Sequence, residues 1–138
     1  HTKYDVIFPT HPKTKKILNK ISYDKNKIKS IDPMDYFSFL NLLKNSELIV
    51  SDSGGVQEEA CILRVPLITI RKSTERPETI QIGCNILSKI KDKMVYKHAI
   101  KILNKKIKWK NPYGNGNAAL KSYYIIKGFL NKNEAKYY

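Results

Sequence analysis

Five short apolar runs recur at regular intervals along this chain, and no other feature of the sequence restricts its fold as much. Each run is rich in β-branched residues and lacks the apolar–polar alternation of a strand with one face in water. Such runs are typical of strands that are buried on both faces of a parallel sheet. The five runs are Asp5–Phe8, Ile28–Ile31, Leu48–Val50, Leu67–Ile70 and Asn85–Leu87.

The segments between and after these runs predict helices. Before the third run, four apolar residues share one stripe of a helix, and Asp35 is placed to cap its start. Two more amphipathic segments follow the fifth run and predict two closing helices. The apolar positions are Tyr36, Phe39, Leu40 and Leu43 in the first helix, Val95, Ala99 and Ile102 in the second, and Ala119, Tyr123, Ile126 and Leu130 in the third.

Strands and helices that alternate in this way indicate βαβ units. The predicted fold class is therefore α/β, with a Rossmann-like, doubly wound parallel sheet. A length of 138 residues suits one domain, which we assign to residues 1–130, followed by a frayed, lysine-rich tail over residues 131–138. Because the first strand begins almost at once after His1, we expect the domain to be truncated at its N-terminus.

The net charge of +14 comes from 26 Lys and Arg against 12 Asp and Glu. Lysines that neutralise phosphates favour nucleic-acid binding, but here they are spread over turns and helix surfaces and form no arginine-rich block. We interpret the charge as a compositional bias and expect no nucleic-acid partner.

No apolar run has the length of a membrane span, and no secretory signal is visible. Cys61 and Cys84 fit neither a metal-ligand spacing nor a disulfide framework, so we expect a cytoplasmic protein without metal, and nothing indicates a cofactor.

The segment most informative about chemistry runs from Ser51 to Ala60, where a buried strand ends and a helix-forming run begins. Here we expect Gly54 and Gly55 to form a tight turn that aims backbone N–H groups and the positive end of the helix dipole at the sheet's carboxyl edge. A phosphate fits there, because a Cβ at either glycine would keep it away from the backbone, and Ser53 adds a hydroxyl donor. An ordinary strand-to-helix turn has the same composition.

Charged residues extend this predicted site. Glu59, one helical turn further on, is within reach of a ribose beside the diphosphate, with a solvated role or a pair with Arg64 as its alternative; we assign Glu58 to the solvated surface. After the next strand, Arg76 precedes Pro77, which suits the first position of a short helix. A guanidinium engages two phosphate oxygens at once, and ligands of such folds collect at the carboxyl edge of the sheet. Arg76 is therefore the predicted diphosphate clamp.

Taken together, these motifs resemble the non-hydrolysing UDP-N-acetylglucosamine 2-epimerases. Five segments agree with that family in order and spacing, and they cover essentially the whole chain. The segments are Phe8–Pro12, Tyr36–Leu43, Ser51–Ala60, Thr74–Glu78 and Asn111–Ala118, the last with Asn115 where the family usually has Asp.

The resemblance implies that this chain is most of the C-terminal domain of a two-domain enzyme of the glycosyltransferase-B type, without that domain's first strand and helix. It also implies a set of substrate-binding residues for a UDP-sugar. They are Ser53, Gly54 and Gly55 at the diphosphate, Arg76 beside it, Glu59 at the ribose, Phe39 at the uracil and, with a structural role as its alternative, His11.

The family's reaction eliminates UDP from the sugar to give a glycal-like intermediate, and UDP adds back after reprotonation of C2 on the other face. The family's acid–base carboxylates belong to its first domain and its catalytic histidine to an HRREN segment without a match here, so we expect no catalytic residue in this chain. The intact protein is expected to be a homodimeric isomerase that interconverts UDP-GlcNAc and UDP-ManNAc. The alternatives are an epimerase of a related UDP-amino sugar and, from another class, a basic nucleic-acid-binding α/β module.

Overall fold

The computed structural model describes residues 4–89, 94–104 and 108–134; His1 and residues 135–138 of the predicted tail lie outside them. The described residues form β1 (Val6–Pro9), α1 (Pro12–Leu18), β2 (Ile28–Ile31), α2 (Tyr36–Lys44), β3 (Ile49–Ser51), α3 (Gly54–Leu63), β4 (Leu67–Ile70), α4 (Pro77–Gln81), β5 (Asn85–Ser88), α5 (Met94–Leu103) and α6 (Ala118–Glu134). Every predicted strand is present, and each pairing is parallel. The predicted α/β fold class is confirmed.

The chain divides into two compact units, residues 1–45 and residues 46–138. In the first unit β1 pairs with β2. In the second unit β3, β4 and β5 form a three-stranded sheet with β4 in the centre. Apolar runs mark each strand locally, but no local pattern marks which strands share hydrogen bonds. The distribution of the strands over two sheets was therefore not predictable from the runs.

The hydrophobic core of the second unit lies around the central strand β4. Leu67, Ile68 and Thr69 are all buried, so this strand is covered on both faces, as its apolar run predicts. Helix α3 contributes Ala60 and Cys61 to the same core. The buried face thus packs α3 against β4. Because α3 follows β3 in the chain, α3 begins at the carboxyl end of the sheet.

Strand β1 does not follow the same prediction. Val6, Ile7 and Phe8 are between 39% and 45% exposed, so the expected burial on both faces is wrong for this strand. The first unit has a sheet of only two strands, and α1 contributes no buried residue to cover it. A polar side chain orders the end of β1. Thr10, which is 1% exposed, donates from its hydroxyl to the Phe8 carbonyl at 2.9 Å.

Local signals place the helix starts correctly. The Asp35 carboxylate caps α2 by accepting a hydrogen bond from the Ser38 N–H at 3.0 Å. Hydrogen bonds from the Ser38 hydroxyl and then from the Ser38 N–H lower the pKa of Asp35. Pro77 opens α4, as its fixed φ angle and missing N–H predict.

The closing helix α6 extends to Glu134, beyond the boundary at residue 130 where we expected a frayed tail. The predicted stripe is present, but Tyr123, Ile126 and Leu130 are each more than half exposed. Helical periodicity shows which residues share a face, whereas it carries no information on what covers that face. Among the described residues, no helix combines the length and the apolar character needed to cross a membrane.

Candidate functional site

The predicted phosphate loop opens helix α3 directly and does not form a separate turn. Gly54 and Gly55 are its first two residues, and Ser53 is its N-cap, with an extended backbone and a side chain that accepts from the Val56 N–H at 3.5 Å. The expected tight turn at the glycines is therefore wrong, because Asp52 and the cap residue Ser53 join the strand end to the helix and both glycines are already helical. The first-turn N–H groups of a helix have no partner within it, so those of Gly54 and Gly55 face outward at the positive end of the helix dipole.

Neither glycine is required by the fold. Neither belongs to the residues with positive φ. A Cβ added at Gly54 would meet its nearest neighbour, Glu75 Oε2, at 3.8 Å, and one at Gly55 would lie 4.0 Å from Ser53 Oγ. Both distances are ordinary contacts, and glycine is costly in a helix. Close approach of a ligand to the backbone is thus a better reason for two glycines here than packing is.

The loop between β4 and α4 brings Arg76 against α3. Its Nε donates to Glu58 Oε1, and its Nη1 donates to the Glu75 carbonyl at 3.0 Å. Glu58 is thus the partner of Arg76, and its assignment to the solvated surface is wrong. Glu58 and Glu59 are adjacent on α3. Only the path of the loop between β4 and α4 determines which of the two carboxylates Arg76 contacts. The hydrogen bond that Arg76 donates to Glu58 raises the pKa of the guanidinium, so Arg76 presents a permanent positive charge.

The same loop places a carboxylate beside the start of α3. One Glu75 oxygen, Oε2, is the nearest atom to the Cβ position of Gly54, and the other, Oε1, lies 3.6 Å from Arg71 Nη2. Negative groups are stabilised at this end of a helix. The start of α3 therefore combines outward N–H groups with an exposed carboxylate, and the Arg76 guanidinium lies at Glu58, one helical turn further on. Glu59, the predicted ribose ligand, is half-buried in the middle of α3.

In the first unit, the structure brings His11 and Phe39 together. Both line a shallow pocket of about 170 Å³ at the carboxyl end of β1. The His11 Nδ1 atom accepts a hydrogen bond from the Lys13 N–H at 3.2 Å and so caps α1. The structural role that was the alternative for His11 is therefore present, while the ring also borders the pocket. The other lining residues are Pro9, Thr10, Pro33 and Met34.

The sequence analysis did not identify a cluster of buried polar side chains close to Arg76. Its members are less than 3% exposed and are linked to one another by side-chain hydrogen bonds: Gln57, Thr69, Thr79 and Asn85. One signal for it exists in the sequence. Gln57 lies three and four residues before Ala60 and Cys61, which puts an amide on the stripe that α3 turns to the core.

Both cysteines are buried and unpaired. Cys61 and Cys84 form one apolar cluster with Trp109, against which Ile82 and Tyr113 pack. Burial raises the pKa of Cys61, and it raises the pKa of Cys84 to about 12. A thiol is nucleophilic only as the thiolate, so these two side chains serve packing rather than chemistry.

The closing segment around Tyr113 fastens onto α4, the helix that follows Arg76. The Tyr113 hydroxyl donates to Glu78 Oε1 at 2.8 Å, and Trp109 Nε1 donates to the Cys61 carbonyl at 3.0 Å. The backbone N–H of Glu78 itself and then the Tyr113 hydroxyl lower the pKa of Glu78. This segment is therefore hydrogen-bonded to both α3 and α4.

Comparison with known proteins decides the family. The model of the family described as UDP-N-acetylglucosamine 2-epimerase matches residues 1–127. The chain belongs to this family. A curated relative, the UDP-N-acetylglucosamine 2-epimerase of Methanocaldococcus jannaschii, is 53% identical over 118 residues, which are 82% of this chain and 32% of that protein. The enzyme of the same name from Salmonella borreze is 34% identical over 145 residues, covering 99% of this chain and 38% of the relative. The resemblance inferred from the motifs is confirmed.

Solved structures of this family share the fold. The Methanocaldococcus jannaschii epimerase in complex with UDP-GlcNAc and UDP matches with a TM-score of 0.79 and 49% identity, over 89% of this chain and 35% of that one. The complex of S. aureus MnaA with UDP matches with a TM-score of 0.81 and 32% identity, over 95% of this chain and 38% of that one. The chain thus spans about a third of the length of the relatives it matches.

Proposed function

We propose that this chain is the UDP-binding part of a UDP-N-acetylglucosamine 2-epimerase, which interconverts UDP-GlcNAc and UDP-ManNAc by elimination and re-addition of UDP. The observation that carries the proposal is the position of the loop that carries Arg76 against the first two turns of α3, with Glu75 beside Gly54 and Arg76 bonded to Glu58. Family membership and the relatives' complexes with UDP support it.

In this proposal the diphosphate lies on the N–H groups of Gly54 and Gly55, with Ser53 and Arg76 as further donors. The helix dipole and the guanidinium both favour negative charge there. Arg76 keeps its Nε hydrogen bond to Glu58 and turns other N–H groups to the phosphate oxygens, because a guanidinium has five N–H donors.

The same groups serve the chemical step. Elimination removes the proton from C2 and breaks the bond between C1 and the diphosphate oxygen, so negative charge accumulates on the departing UDP. Donors fixed in advance stabilise such developing charge without reorganisation. We assign this task to the start of α3 and to Arg76, and we assign proton transfer at C2 to residues outside this chain.

The proposal also assigns the other ends of the substrate. Phe39 lies beside the uracil, Glu59 accepts from the ribose hydroxyls, and His11 faces the sugar nucleotide. The pocket shared by His11 and Phe39 supports the first and third assignments, and the half-buried position of Glu59 in α3 is compatible with the second. We further propose that the enzyme is a homodimer and that it is cytoplasmic. Its two free thiols support the second assignment, because the cytoplasm keeps thiols reduced.

The test is a titration of the isotope-labelled chain with UDP, followed residue by residue by NMR, at two salt concentrations. We expect the amide signals of Gly54 and Gly55 to shift in a saturable way, with a Kd on the order of 1 mM, or about 4 kcal/mol of binding free energy. Arg76→Glu removes a charge-assisted hydrogen bond and adds a repulsive carboxylate, so affinity should fall about 100-fold. Uridine, which lacks the diphosphate, should leave both glycine signals in place.

The matched control is Arg71→Glu, which changes the net charge by the same amount in the same loop without touching Glu58. It should lower UDP affinity by less than about threefold, the size of a screened surface effect. Equal losses in the two variants would reduce Arg76 to a source of general charge. If UDP shifts neither glycine while single-stranded DNA binds with steep salt dependence, the nucleic-acid-binding alternative replaces the proposal.

A further inference from the structure

Beneath the proposed diphosphate site, the second unit contains polar side chains where a core usually has apolar ones. Gln57 is 1% exposed, Thr69 and Thr79 are 0% exposed, and Asn85 is 2% exposed. Burying a polar group without a hydrogen bond is strongly unfavourable. The bonds that these residues form therefore decide how the surrounding segments are placed.

The amide of Gln57 joins three segments. Its Oε1 accepts from Thr74 Oγ1 at 2.5 Å, in the loop that precedes α4, and from Asn85 Nδ2 at 3.3 Å, in β5. Its Nε2 donates to the Ser53 carbonyl at 3.4 Å, at the cap of α3. One side chain thus connects the start of α3, the loop that carries Arg76 and the neighbouring strand.

The backbone of Arg76 is held on one side by Thr74, a partner of Gln57, and on the other by Thr79, a partner of Asn85. Its N–H donates to Thr74 Oγ1 at 3.0 Å. Its carbonyl accepts from Thr79 Oγ1 at 2.7 Å and from the Thr79 N–H at 3.1 Å. Thr79 Oγ1 in turn accepts from Asn85 Nδ2 at 3.0 Å. The hydrogen bonds therefore form a closed ring from Gln57 through Thr74, Arg76, Thr79 and Asn85 back to Gln57.

The donors and acceptors of this ring are mutually consistent. The hydroxyl hydrogen of Thr74 goes to Gln57 and that of Thr79 goes to the Arg76 carbonyl, which leaves both oxygens to accept. The two amide hydrogens of Asn85 go to Gln57 and Thr79. A network whose donors and acceptors are matched in this way favours one arrangement strongly over others. Apolar residues would fill the same space, but they would not dictate where the Arg76 backbone lies.

We propose that Gln57 is a positioning residue, which sets the backbone of Arg76, and with it the guanidinium, against the N-terminus of α3. The inference rests on the proposed function, in which Arg76 engages the diphosphate. Gln57 is assigned no contact with the nucleotide, since it is 1% exposed and its hydrogen bonds go to Ser53, Thr74 and Asn85 inside the protein. Its effect on UDP affinity therefore passes through the loop.

Two readouts test this role, and one of them needs no ligand. Gln57→Met keeps the length of the side chain but removes all three of its hydrogen bonds. Hydrogen exchange of the Arg76 amide, whose N–H depends on Thr74 Oγ1, should accelerate at least tenfold. The Kd for UDP, from the same NMR titration, should rise about tenfold.

The matched control is Thr69→Val. Thr69 is equally buried and donates to Asn85 Oδ1 at 2.9 Å in the same network, but it bonds neither to Thr74 nor to Arg76. It should lower global stability to a similar extent in urea while leaving Arg76 exchange and UDP affinity within about twofold of the parent. Thr74→Val approaches the ring from the loop side, where folding is less at risk, and should reproduce Gln57→Met, whereas Thr74→Ser should restore the parent values.

The outcomes separate the two proposals. If Thr69→Val and Gln57→Met change Arg76 exchange and UDP affinity equally at matched stability, Gln57 is only a structural residue and the inference is overturned. If Gln57→Met does not fold, an unchanged Arg76 exchange in Thr74→Val overturns it as well. A parent chain that fails to bind UDP refutes the proposed function, while accelerated Arg76 exchange in Gln57→Met and Thr74→Val would still establish the positioning of the loop.

Discussion

Trp109 is the residue on which the integrity of the second unit should depend most visibly. It is 9% exposed, contacts Cys61 and Cys84, and donates from Nε1 to the Cys61 carbonyl near the end of α3. Arg64 Nη1 donates back to the Trp109 carbonyl at 3.3 Å. The segment after α5 is thus fastened to the helix whose other end forms the proposed diphosphate site. We predict that Trp109→Phe loosens this attachment without changing the fold.

The structure gives the size of the effect. The Cys61 carbonyl would lose the indole N–H but keep a hydrogen bond from the Arg64 N–H at 3.3 Å, so the lost bond should cost about 1 kcal/mol, not the penalty of an unsatisfied carbonyl. Replacing indole by phenyl also leaves about 40 Å³ unfilled, which adds about 1 kcal/mol at the known dependence on cavity volume. The expected loss of local stability is about 2 kcal/mol, or about a 30-fold change in the opening equilibrium.

The two buried thiols provide the assay. Cys61 and Cys84 contact Trp109 and react with a thiol reagent only when the cluster opens, so their labelling rate reports local opening directly. Trp109→Phe should raise that rate about 30-fold. Benzothienylalanine at position 109 keeps the indole's size but has sulfur in place of the N–H, and should give only the hydrogen-bond part, about fivefold. A rise below about threefold for Trp109→Phe would show that Trp109 does not hold this cluster closed.

Two further predictions concern the site itself. Gly54→Ala should keep or raise stability by up to about 1 kcal/mol, because the added Cβ clashes with nothing, yet lower UDP affinity about tenfold; equal affinity would show that no ligand approaches this backbone. Tyr113→Phe should raise the pKa of Glu78 part of the way to its ordinary value, because Glu78 keeps its own backbone hydrogen bond. Since that pKa is lowered in the folded chain, the interaction stabilises the protein at neutral pH and is lost as the pH falls through the folded pKa. A carboxyl-carbon NMR titration measures the change, and an unmoved pKa would contradict the role of the hydroxyl.

Strands and helix starts were predictable from the sequence because they depend on local interactions. A run of β-branched residues disfavours other backbone conformations, Asp35 accepts from an N–H only three residues away, and Pro77 needs no N–H in the first turn. Each of these causes acts within one turn or one strand. The prediction that failed concerns neighbours: the burial of β1 on both faces. The distribution of the strands over two sheets and the exposure of the apolar face of α6 also depend on neighbours, and no local pattern predicts them.

The candidate site divides in the same way. Ser53, Gly54 and Gly55 were recognisable because a helix N-terminus is a local structure with a known preference for anions. That Arg76 meets Glu58, and not the adjacent Glu59, depends on the path of a loop that follows a different strand. A sequence shows two acidic residues about 100° apart on a helix but not the direction from which the loop arrives.

Gln57 carried information that the sequence analysis did not use. An amide on the buried stripe of α3 violates the apolar pattern, and a buried amide must find partners, since each unsatisfied group costs about 1–3 kcal/mol. Thr69 and Asn85 were used only as parts of predicted strands, Thr74 only as part of a family motif, and Thr79 not at all. A polar residue that interrupts a core stripe next to a proposed anion site is therefore best interpreted as one end of a network that supports the site. The closed ring around the Arg76 backbone is the kind of arrangement such an interruption predicts.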